Sequence, residues 1–427
     1  MEKITAVILA AGKGTRMMSD KTKVLHEVSG KPMISHVIDA CLEAGVRDIV
    51  IIAGANFQEL KKFAGKAYPG MDIKFAIQKK QLGTAHAVSA ALNSKIHFNK
   101  AVLILSGDVP MITPETIKAM IREFTKSSPG GIICTSTVAE PFGYGRIVKN
   151  GKGHIIRIVE EKDATAAEKG IREINSGIYI FEAKNLKKHI KSVGLNPVKK
   201  EYYLTDIAGI MAENDVIIRP LTVDYAETAG INDRVQLMEA NKLKNKKTLE
   251  KLAKNGITIA DFDTVIIDGN VSIGRDTVIN PFTVIHGKTR IGRGCVIGPF
   301  AHIRAETVIG DFCKIGNYVE IKKSVIGSHT NVAHLSYIGD AGIGNNVNIG
   351  AGTITCNYDG VNKNRTIIGN NVFVGSDTKF VAPVKIGDDT VIAAGSVITE
   401  DVPAGALGIA RARQVNKEKW KQNRRKK

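Results

Sequence analysis

The sequence predicts two architectures in one chain: an α/β domain with a Rossmann-like, mostly parallel sheet, and a parallel β-helix behind a helical linker. Three observations predict this. In the first half, short apolar runs of β character alternate with stretches of helical spacing. Residues 233–255 then carry many helix formers, with Gly256 as a C-terminal stop. From Ile273 to Ile398 an aliphatic side chain recurs at every sixth position.

The first half opens on the apolar run 4–9, which ends in Ala10-Ala11-Gly12-Lys13-Gly14-Thr15-Arg16-Met17. Further runs at 48–52, 101–105 and 131–137 are separated by helical spacing at 32–42 and 114–124. Strands alternating with helices imply a largely parallel sheet covered on both faces, with ligands beyond the carboxyl ends of the strands. The Gly-rich loop falls there. Its small residues let backbone N–H groups approach phosphate oxygens, and Lys13 and Arg16 add positive charge. It is not a P-loop, because no Gly stands five positions before a Gly-Lys pair. Nor is it the dinucleotide fingerprint, because Met17 sits where the third Gly belongs.

Lys23 is a cation shortly after that loop. Gln78, Gln81, Gly83 and Thr84 offer amides and a hydroxyl suited to a nucleobase edge, with a Gly that lets the base lie close. Asp108, in Ser106-Gly107-Asp108-Val109-Pro110, follows an apolar strand at its carboxyl end, where a carboxylate can hold Mg²⁺ beside a triphosphate.

The linker leads into the ladder Ile273, Ile279, Ile285, Ile291, Ile297, Ile303, Ile309, Ile315 and Ile321. After one-residue slips near Gly327 and Gly344 it resumes through Ile368, Val374, Phe380, Ile386, Ile392 and Ile398. A helix repeats near 3.6 and a strand near 2, so neither yields six. A β-helix does, each hexad being one short strand plus a corner. Gly274, Gly292, Gly298, Gly310 and Gly316 suit corners where a Cβ would collide or where positive φ is needed. An evenly spaced β-sandwich is the alternative, but its strand spacing is longer and less regular. The polar stretch 355–365 interrupts the ladder and must leave the coil as a loop, fit to touch a ligand or a neighbouring subunit. His334 follows a slip; an imidazole is a natural base near neutral pH.

Composition bounds the function. The chain has 427 residues, too many for one ordinary domain, and a net charge of +18. Much of that charge lies in the tail 411–427, with nine Lys/Arg against Glu418, and no recognition motif accompanies it, so specific nucleic-acid binding has little support. No apolar run is long enough to span a membrane, and the start lacks a signal peptide's segments. Cys41, Cys134, Cys295, Cys313 and Cys356 are scattered and never form a CxxC pair, which argues for reduced thiols in a cytoplasm.

Two resemblances sharpen this reading. Residues 9–17 resemble the signature of the sugar-nucleotide pyrophosphorylases. The segments 81–87, 143–146, 158–164, 173–177 and 230–232 are similar to the branch that acts on N-acetylglucosamine 1-phosphate with UTP. That resemblance implies that Leu9, Ala10, Ala11, Gly12 and Lys23 line the nucleotide and that Gln78, Gln81, Gly83 and Thr84 bind uracil. It further implies that Gly145, Glu160 and Asn175 hold the sugar, that Asp108 and Asn232 hold Mg²⁺, and that Lys23 and Arg16 neutralise phosphate charge. Thr22 departs from the Pro usual before Lys23, a change expected to alter loop rigidity rather than chemistry.

In the second half, Arg304 and the segments 319–323, 334–337, 346–353, 356–360 and 373–377 resemble the acetyltransferase half of a bifunctional bacterial family. That family combines glucosamine-1-phosphate N-acetyltransferase with N-acetylglucosamine-1-phosphate uridyltransferase. The resemblance implies a left-handed β-helix, a homotrimer and acetyl-CoA as cosubstrate, with His334 as base. Arg304 and Lys322 would clamp the sugar phosphate, and Tyr337, Asn348 and Asn357 would orient the acceptor. Ala351, Asn357, Tyr358, Ser376, Ala394 and Arg411 would lie along acetyl-CoA. The expected domains are 1–230 uridyltransferase, 231–256 linker, 257–410 acetyltransferase and 411–427 tail. Only 72 residues separate Asn232 from Arg304, some 30 fewer than the family leads one to expect, close to two coils of a solenoid that tolerates such loss. The rival readings are a single-activity nucleotidyltransferase whose β-helix only oligomerises, and a non-enzymatic scaffold binding nucleic acid through its tail.

Overall fold

The protein is described by a computed structural model, which covers residues 3–420 apart from 128, 198 and 419. The part of the expected basic tail at 419 and 421–427 therefore lies outside the described residues. The chain forms two compact units that divide between Asn241 and Lys242.

In the first unit, seven strands run in the order Ile218–Thr222, Gly131–Thr137, Glu173–Glu182, Ala101–Ser106, Ile4–Leu9, Asp48–Ala53, Lys74–Ile77, with the hairpin Arg146–Lys149 and Ile155–Val159 alongside. Ile4–Leu9 pairs in parallel with both neighbours. Its side chains alternate between two cores: Ile4, Ala6 and Ile8 enter one layer and Val7 the other. The two flanking strands alternate in the same phase, since side chains on a strand point to opposite faces. One layer is closed by Met33–Glu43 and Pro114–Ser127, the other by Thr84–Leu92 and Asp206–Glu213. The sheet is mixed at one place. Glu173–Glu182 runs antiparallel to both its neighbours, and its register shifts between Asn175 and Tyr179. That irregularity, at Asn175-Ser176-Gly177, breaks the alternation by which a strand is recognised in sequence.

The helix expected over 233–255 spans Arg234–Lys254. In the first unit, Leu237 and Ala240 pack with Val28, Met33 and Ile231. In the second, Leu249 and Leu252 join the β-helix core.

The second unit is built of three parallel sheets of nine, eight and seven strands, each coil giving one strand to each sheet. Partners lie 18 residues apart, as in Val278↔Val296, Val284↔His302 and Arg290↔Val308. This is the stacking expected of a left-handed hexapeptide β-helix. Ladder residues from Ile279 to Ile398 form one continuous core. A second period runs beside it, because Thr277, Thr283, Thr289, Cys295, Thr307 and Cys313, each two residues before a ladder position, are also buried. Several satisfy themselves on backbone: the Thr277 hydroxyl donates to the Gly292 carbonyl at 2.9 Å and Thr330 to Gly344 at 2.8 Å.

The structure separates the two roles considered for the ladder glycines. A Cβ on Gly274 would lie 2.5 Å from the Arg293 nitrogen, one on Gly310 would lie 2.6 Å from the Ser328 nitrogen, and one on Gly316 would overlap the Ala333 carbonyl. Gly274, Gly310 and Gly316 have no positive φ; left-handed corners fall instead on Asp276, Phe282, Lys288, Phe300, Glu306 and Phe312. These three glycines are therefore required by close coil-to-coil approach. Gly316→Ala is expected to destabilise the second unit by about 1–3 kcal/mol, the usual cost of overpacking, read as a lower denaturation midpoint.

The slips fall slightly earlier than Gly327 and Gly344. Coils shorten to 17 residues, as in Val308↔Val325 and Glu320↔Tyr337, and the short corners carry Lys323 and Asp340 in the left-handed region. The interruption is also smaller than 355–365. Thr355 and Cys356 stay in the strand Ile354–Cys356, and only 357–365 leaves the coil, stretching the step to 25 residues at Thr355↔Phe380. Thr355 fills a ladder position inside the core; its hydroxyl accepts from the Gly339 N–H at 2.7 Å and donates to the Gly339 carbonyl at 3.1 Å. A hydroxyl where the pattern asks for an aliphatic hides this rung from sequence reading.

Candidate active sites

The first site lies at the carboxyl ends of the central strands. The Leu9 carbonyl accepts from Gly107 at 2.9 Å, and the Ala10 carbonyl accepts from the Asn56 amide at 2.8 Å, which fixes the loop base. Gly14 has φ +60°, and a Cβ there would lie 2.6 Å from the Lys23 Cβ. Around Gly12, by contrast, an added Cβ would meet nothing within 4 Å. Protein packing does not demand a glycine at that point, which leaves ligand approach as its use.

Lys23 closes the site. Its Nζ donates to Asp108 Oδ2 at 2.5 Å and to Asn232 Oδ1 at 2.9 Å, and Arg16 Nη2 reaches the same Asn232 oxygen at 2.9 Å. The Lys23 and Asp108 side chains are only 12% and 18% exposed. The Asp108 carbonyl accepts from the Ile231 N–H at 2.9 Å, which ties the end of Ala101–Ser106 to the turn at 230–232. Four residues singled out from distant segments thus meet on one network. The Thr22 hydroxyl bonds to Glu59 of helix Phe57–Ala67, so a hydrogen bond tethers the loop that a proline would have stiffened.

The expected uracil residues form a second cluster. Gln78 is buried; its Nε2 donates to the Gly83 carbonyl at 3.0 Å and sits 3.1 Å from His86 Nδ1. Gln81 Nε2 reaches the Ala11 carbonyl at 3.3 Å. Gly83 has φ +98°, and a Cβ there would overlap the Tyr202 carbonyl. Tyr202 braces this loop from both sides, its N–H donating to Leu82 at 2.8 Å and its carbonyl accepting from Ala85 at 3.0 Å. Thr84 accepts from the Leu204 N–H at 3.0 Å. Nothing in the sequence signals Tyr202, because the contact joins an irregular segment to a loop far away in the chain.

Gly145, Glu160 and Asn175 also converge. A Cβ on Gly145 would lie 3.6 Å from Glu160 Oε1 and 3.7 Å from the Asn175 Cβ, and Asn175 N donates to the Gly145 carbonyl at 2.9 Å. The Thr205 hydroxyl donates to Glu160 Oε1 at 2.9 Å, and Asn175 Nδ2 donates to the Tyr179 hydroxyl at 2.8 Å. Burial pushes the Tyr179 phenol above its ordinary range, so it stays neutral and can accept that bond. Behind the pocket, fully buried Arg146 pairs with Glu161 at 2.5 Å, and that bond holds the Glu161 carboxyl below the usual range.

The second site lies on two corners of the β-helix. His334 is exposed, with Nδ1 3.0 Å from Asn317 Oδ1. An amide oxygen only accepts, so Nδ1 carries the proton and Nε2 presents a lone pair, the form a general base needs. Asn317 pairs with His334 one coil earlier, a partner that the repeat period could have revealed. Below His334 the same corner continues through Ala351, Ser376 and Ala394. The Ala351 carbonyl accepts from Asp377 at 2.7 Å, that of Ser376 from Gly395 at 2.8 Å, and that of Ala394 from Arg411 Nη1 at 2.6 Å. The residues expected along acetyl-CoA therefore lie on one track, rising by about 4.8 Å per coil. Tyr358 is exposed on the loop.

The neighbouring corner gathers cations. Arg304 Nη1 bonds Glu320 at 3.0 Å. Lys322 lies below its ordinary lysine range, first because Lys363 faces it and then because of burial and Arg304. Lys363 comes from the 357–365 loop, where Tyr358 and Lys363 form a bridge, and no sequence motif marks it. Like charges held together mark a place for an anion. Asn357 is buried and bonds Asp340. Tyr337 pairs with Glu320 on the strand face between the two corners, and its ring lies over Gly339, where a Cβ would come 2.5 Å from the hydroxyl. Asn348 sits on the adjoining sheet, one coil below Asn331.

An α/β unit with a loop-lysine-carboxylate site and hexad coils with a histidine site define a chain with two transferase centres. The nucleotidyl transferase family model matches residues 5–216, and the bacterial transferase hexapeptide (six repeats) model matches 288–323 and 365–400. The proteins named Bifunctional protein GlmU from Geotalea uraniireducens and Thermoanaerobacter pseudethanolicus are each 46% identical to it, over 99% and 100% of this chain and 99% of their own lengths. That of Caldanaerobacter subterraneus subsp. tengcongensis is 44% identical over 100% of this chain and 99% of its own. The chain belongs to the bifunctional GlmU family. An alignment of 460 positions against 427 residues leaves about 33 positions of the relative without a counterpart, in line with the shortfall read between Asn232 and Arg304.

Proposed function

We propose that the chain performs two steps of UDP-N-acetylglucosamine synthesis, acetyl transfer from acetyl-CoA to glucosamine 1-phosphate followed by uridylyl transfer from UTP to the product. The observation that carries the bifunctional reading is His334, an exposed imidazole with Nδ1 fixed by Asn317 at the head of a substrate-length track. A β-helix that served only for oligomerisation has no use for it. Assay of both half-reactions on the purified protein decides the matter. Thiol release from acetyl-CoA without the sugar phosphate, or none with it, would sink the two-step reading.

In the acetyl step, His334 Nε2 takes a proton from the amine as its nitrogen attacks the thioester carbonyl, and the CoA thiolate departs. Arg304, Lys322 and Lys363 hold the sugar phosphate; Tyr337, Asn348 and Asn357 orient the acceptor; Ala351, Tyr358, Ser376, Ala394 and Arg411 line acetyl-CoA. Lys363→Ala is expected to raise the KM for glucosamine 1-phosphate about tenfold with little change in kcat, as for loss of one charge-assisted bond made equally in ground and transition states. An unchanged KM would remove Lys363 from the site.

In the uridylyl step, a phosphate oxygen of N-acetylglucosamine 1-phosphate attacks the α-phosphorus of UTP in line and pyrophosphate leaves. Leu9, Ala10, Ala11 and Gly12 approach the nucleotide, Lys23 and Arg16 neutralise its charge, Gln78, Gln81, Gly83 and Thr84 read uracil, and Gly145, Glu160 and Asn175 hold the sugar. Among the described residues no group of three or more His, Cys, Asp or Glu side chains could hold a metal ion. Asp108 and Asn232 nonetheless direct one carboxylate and one amide oxygen at a single cation, Lys23 Nζ. That sparse donor set suits Mg²⁺, which is held largely through substrate phosphates and water. When bound, Mg²⁺ polarises the phosphates and offsets developing charge.

The chain acts as a homotrimer in this reading. Phe282, Phe300, Tyr318 and Leu335 form an exposed corner column, its rings stacked at 4.8 and 5.1 Å, and supply apolar surface for a neighbouring subunit. The domains are assigned as 1–230, 231–256, 257–410 and 411–427. A cytoplasmic location fits five free cysteines, four of them buried, and no helix of the described residues is long and apolar enough to cross a membrane.

A further inference from the structure

A cavity of about 290 Å³ lies behind the loop read as the uracil clamp. Its walls include Leu82, His86, Ser89, Ile190, Lys191 and Tyr202, and none of Leu9, Ala11, Gln78, Gln81 or Gly83 lines it. It is a separate space that shares a wall with the nucleotide site. Two aromatic rings face the same space, His86 and Tyr202 with centroids 6.3 Å apart and planes 26° apart. Its other side is strongly cationic. Between 183 and 200 the chain has lysines at 184, 187, 188, 191, 199 and 200 and no acidic residue, and Lys191 of that run lines the cavity.

We propose that this cavity is an effector site for a small aromatic anion, a flat ring carrying a carboxylate, sulfonate or phosphate. The ring would pack against Leu82, Ile190, His86 and Tyr202, and the anion would meet Lys191 and the Ser89 hydroxyl.

The wall residues couple the cavity to nucleotide binding. Tyr202 donates to Leu82 at 2.8 Å and accepts from Ala85 at 3.0 Å, and no side chain fits between it and Gly83. His86 Nδ1 accepts from Gln78 Nε2 at 3.1 Å, and the same Gln78 nitrogen donates to the Gly83 carbonyl at 3.0 Å. A ligand that draws His86 and Tyr202 towards itself loosens both supports of the loop, so occupancy weakens UTP. The coupling is reciprocal, and UTP weakens the effector by the same factor.

The test uses the full chain and 1-anilinonaphthalene-8-sulfonate, a fluorescent aromatic anion. Wild-type protein should bind one equivalent saturably. Lys191→Glu should weaken that binding severalfold, and Ser89→Trp, which fills the cavity, should abolish it. UTP affinity, measured calorimetrically, should fall about fivefold at saturating probe, the low end of common allosteric couplings. Identical titrations for wild type and both variants would overturn the site, and a UTP affinity indifferent to the probe would overturn the coupling. If Ser89→Trp fails to fold, Lys191→Glu at the exposed rim still tests the site: probe binding equal to wild type would overturn it. The inference rests on the uracil reading of the loop, and the two fail differently. If Gln78→Ala left UTP affinity unchanged, the uracil reading would fall while probe binding stood.

Discussion

His334→Ala is expected to lower the acetyl-transfer kcat by roughly a hundred- to ten-thousand-fold, the range typical of a positioned general base. Uridylyl transfer from ready-made N-acetylglucosamine 1-phosphate should stay near wild type, because His334 lies in the second compact unit and Asp108 in the first. Parallel assays of thiol release and pyrophosphate release on one preparation read both outcomes. Loss of both activities in a folded variant would sink the two-site model. Asn317→Ala should fall in the same direction but less far. It leaves the imidazole present while removing the acceptor that keeps the proton on Nδ1. Its signature is a shifted pH profile of kcat rather than a changed acetyl-CoA KM.

Asp108→Ala should do the reverse, reducing uridylyl transfer by about a hundred- to a thousand-fold, the scale seen when one electrostatic stabiliser is removed, while sparing acetyl transfer. The reason is local. Asp108 is the carboxylate partner of Lys23, and its backbone carbonyl anchors Ile231 beside Asn232, so the side chain sets charge and the main chain sets position. Alanine keeps the second and removes the first. Chelation of divalent ions with EDTA should likewise stop pyrophosphate release and leave thiol release intact. A variant whose magnesium dependence matched wild type would refute the metal role of Asp108.

The order of legibility has physical causes. Period-two and period-six patterns are imposed by burial, so the strands around Ile4–Leu9 and the rungs from Ile279 to Ile398 can be read directly. Rungs and strands escape notice where a polar residue satisfies itself inside, as Thr355 does on Gly339, or where a register shift interrupts alternation, as between Asn175 and Tyr179. Crowding explains the ladder glycines as expected. Positive φ holds at Gly298 but not at Gly274, Gly310 or Gly316, since most left-handed corners fall on Asp, Phe, Lys and Glu.

Sequence alone determined the two architectures, the six-residue core and most candidate residues, because each depends on spacing along the chain. Only the tertiary structure decided which of them meet. Lys23, Asp108, Asn232 and Arg16 share one network across more than two hundred residues of sequence, and Lys363 reaches Lys322 from a loop that leaves the coil. Tyr202 braces Gly83 through backbone bonds that any residue could make. Such contacts depend on closing long loops, and neither composition nor periodicity encodes their endpoints.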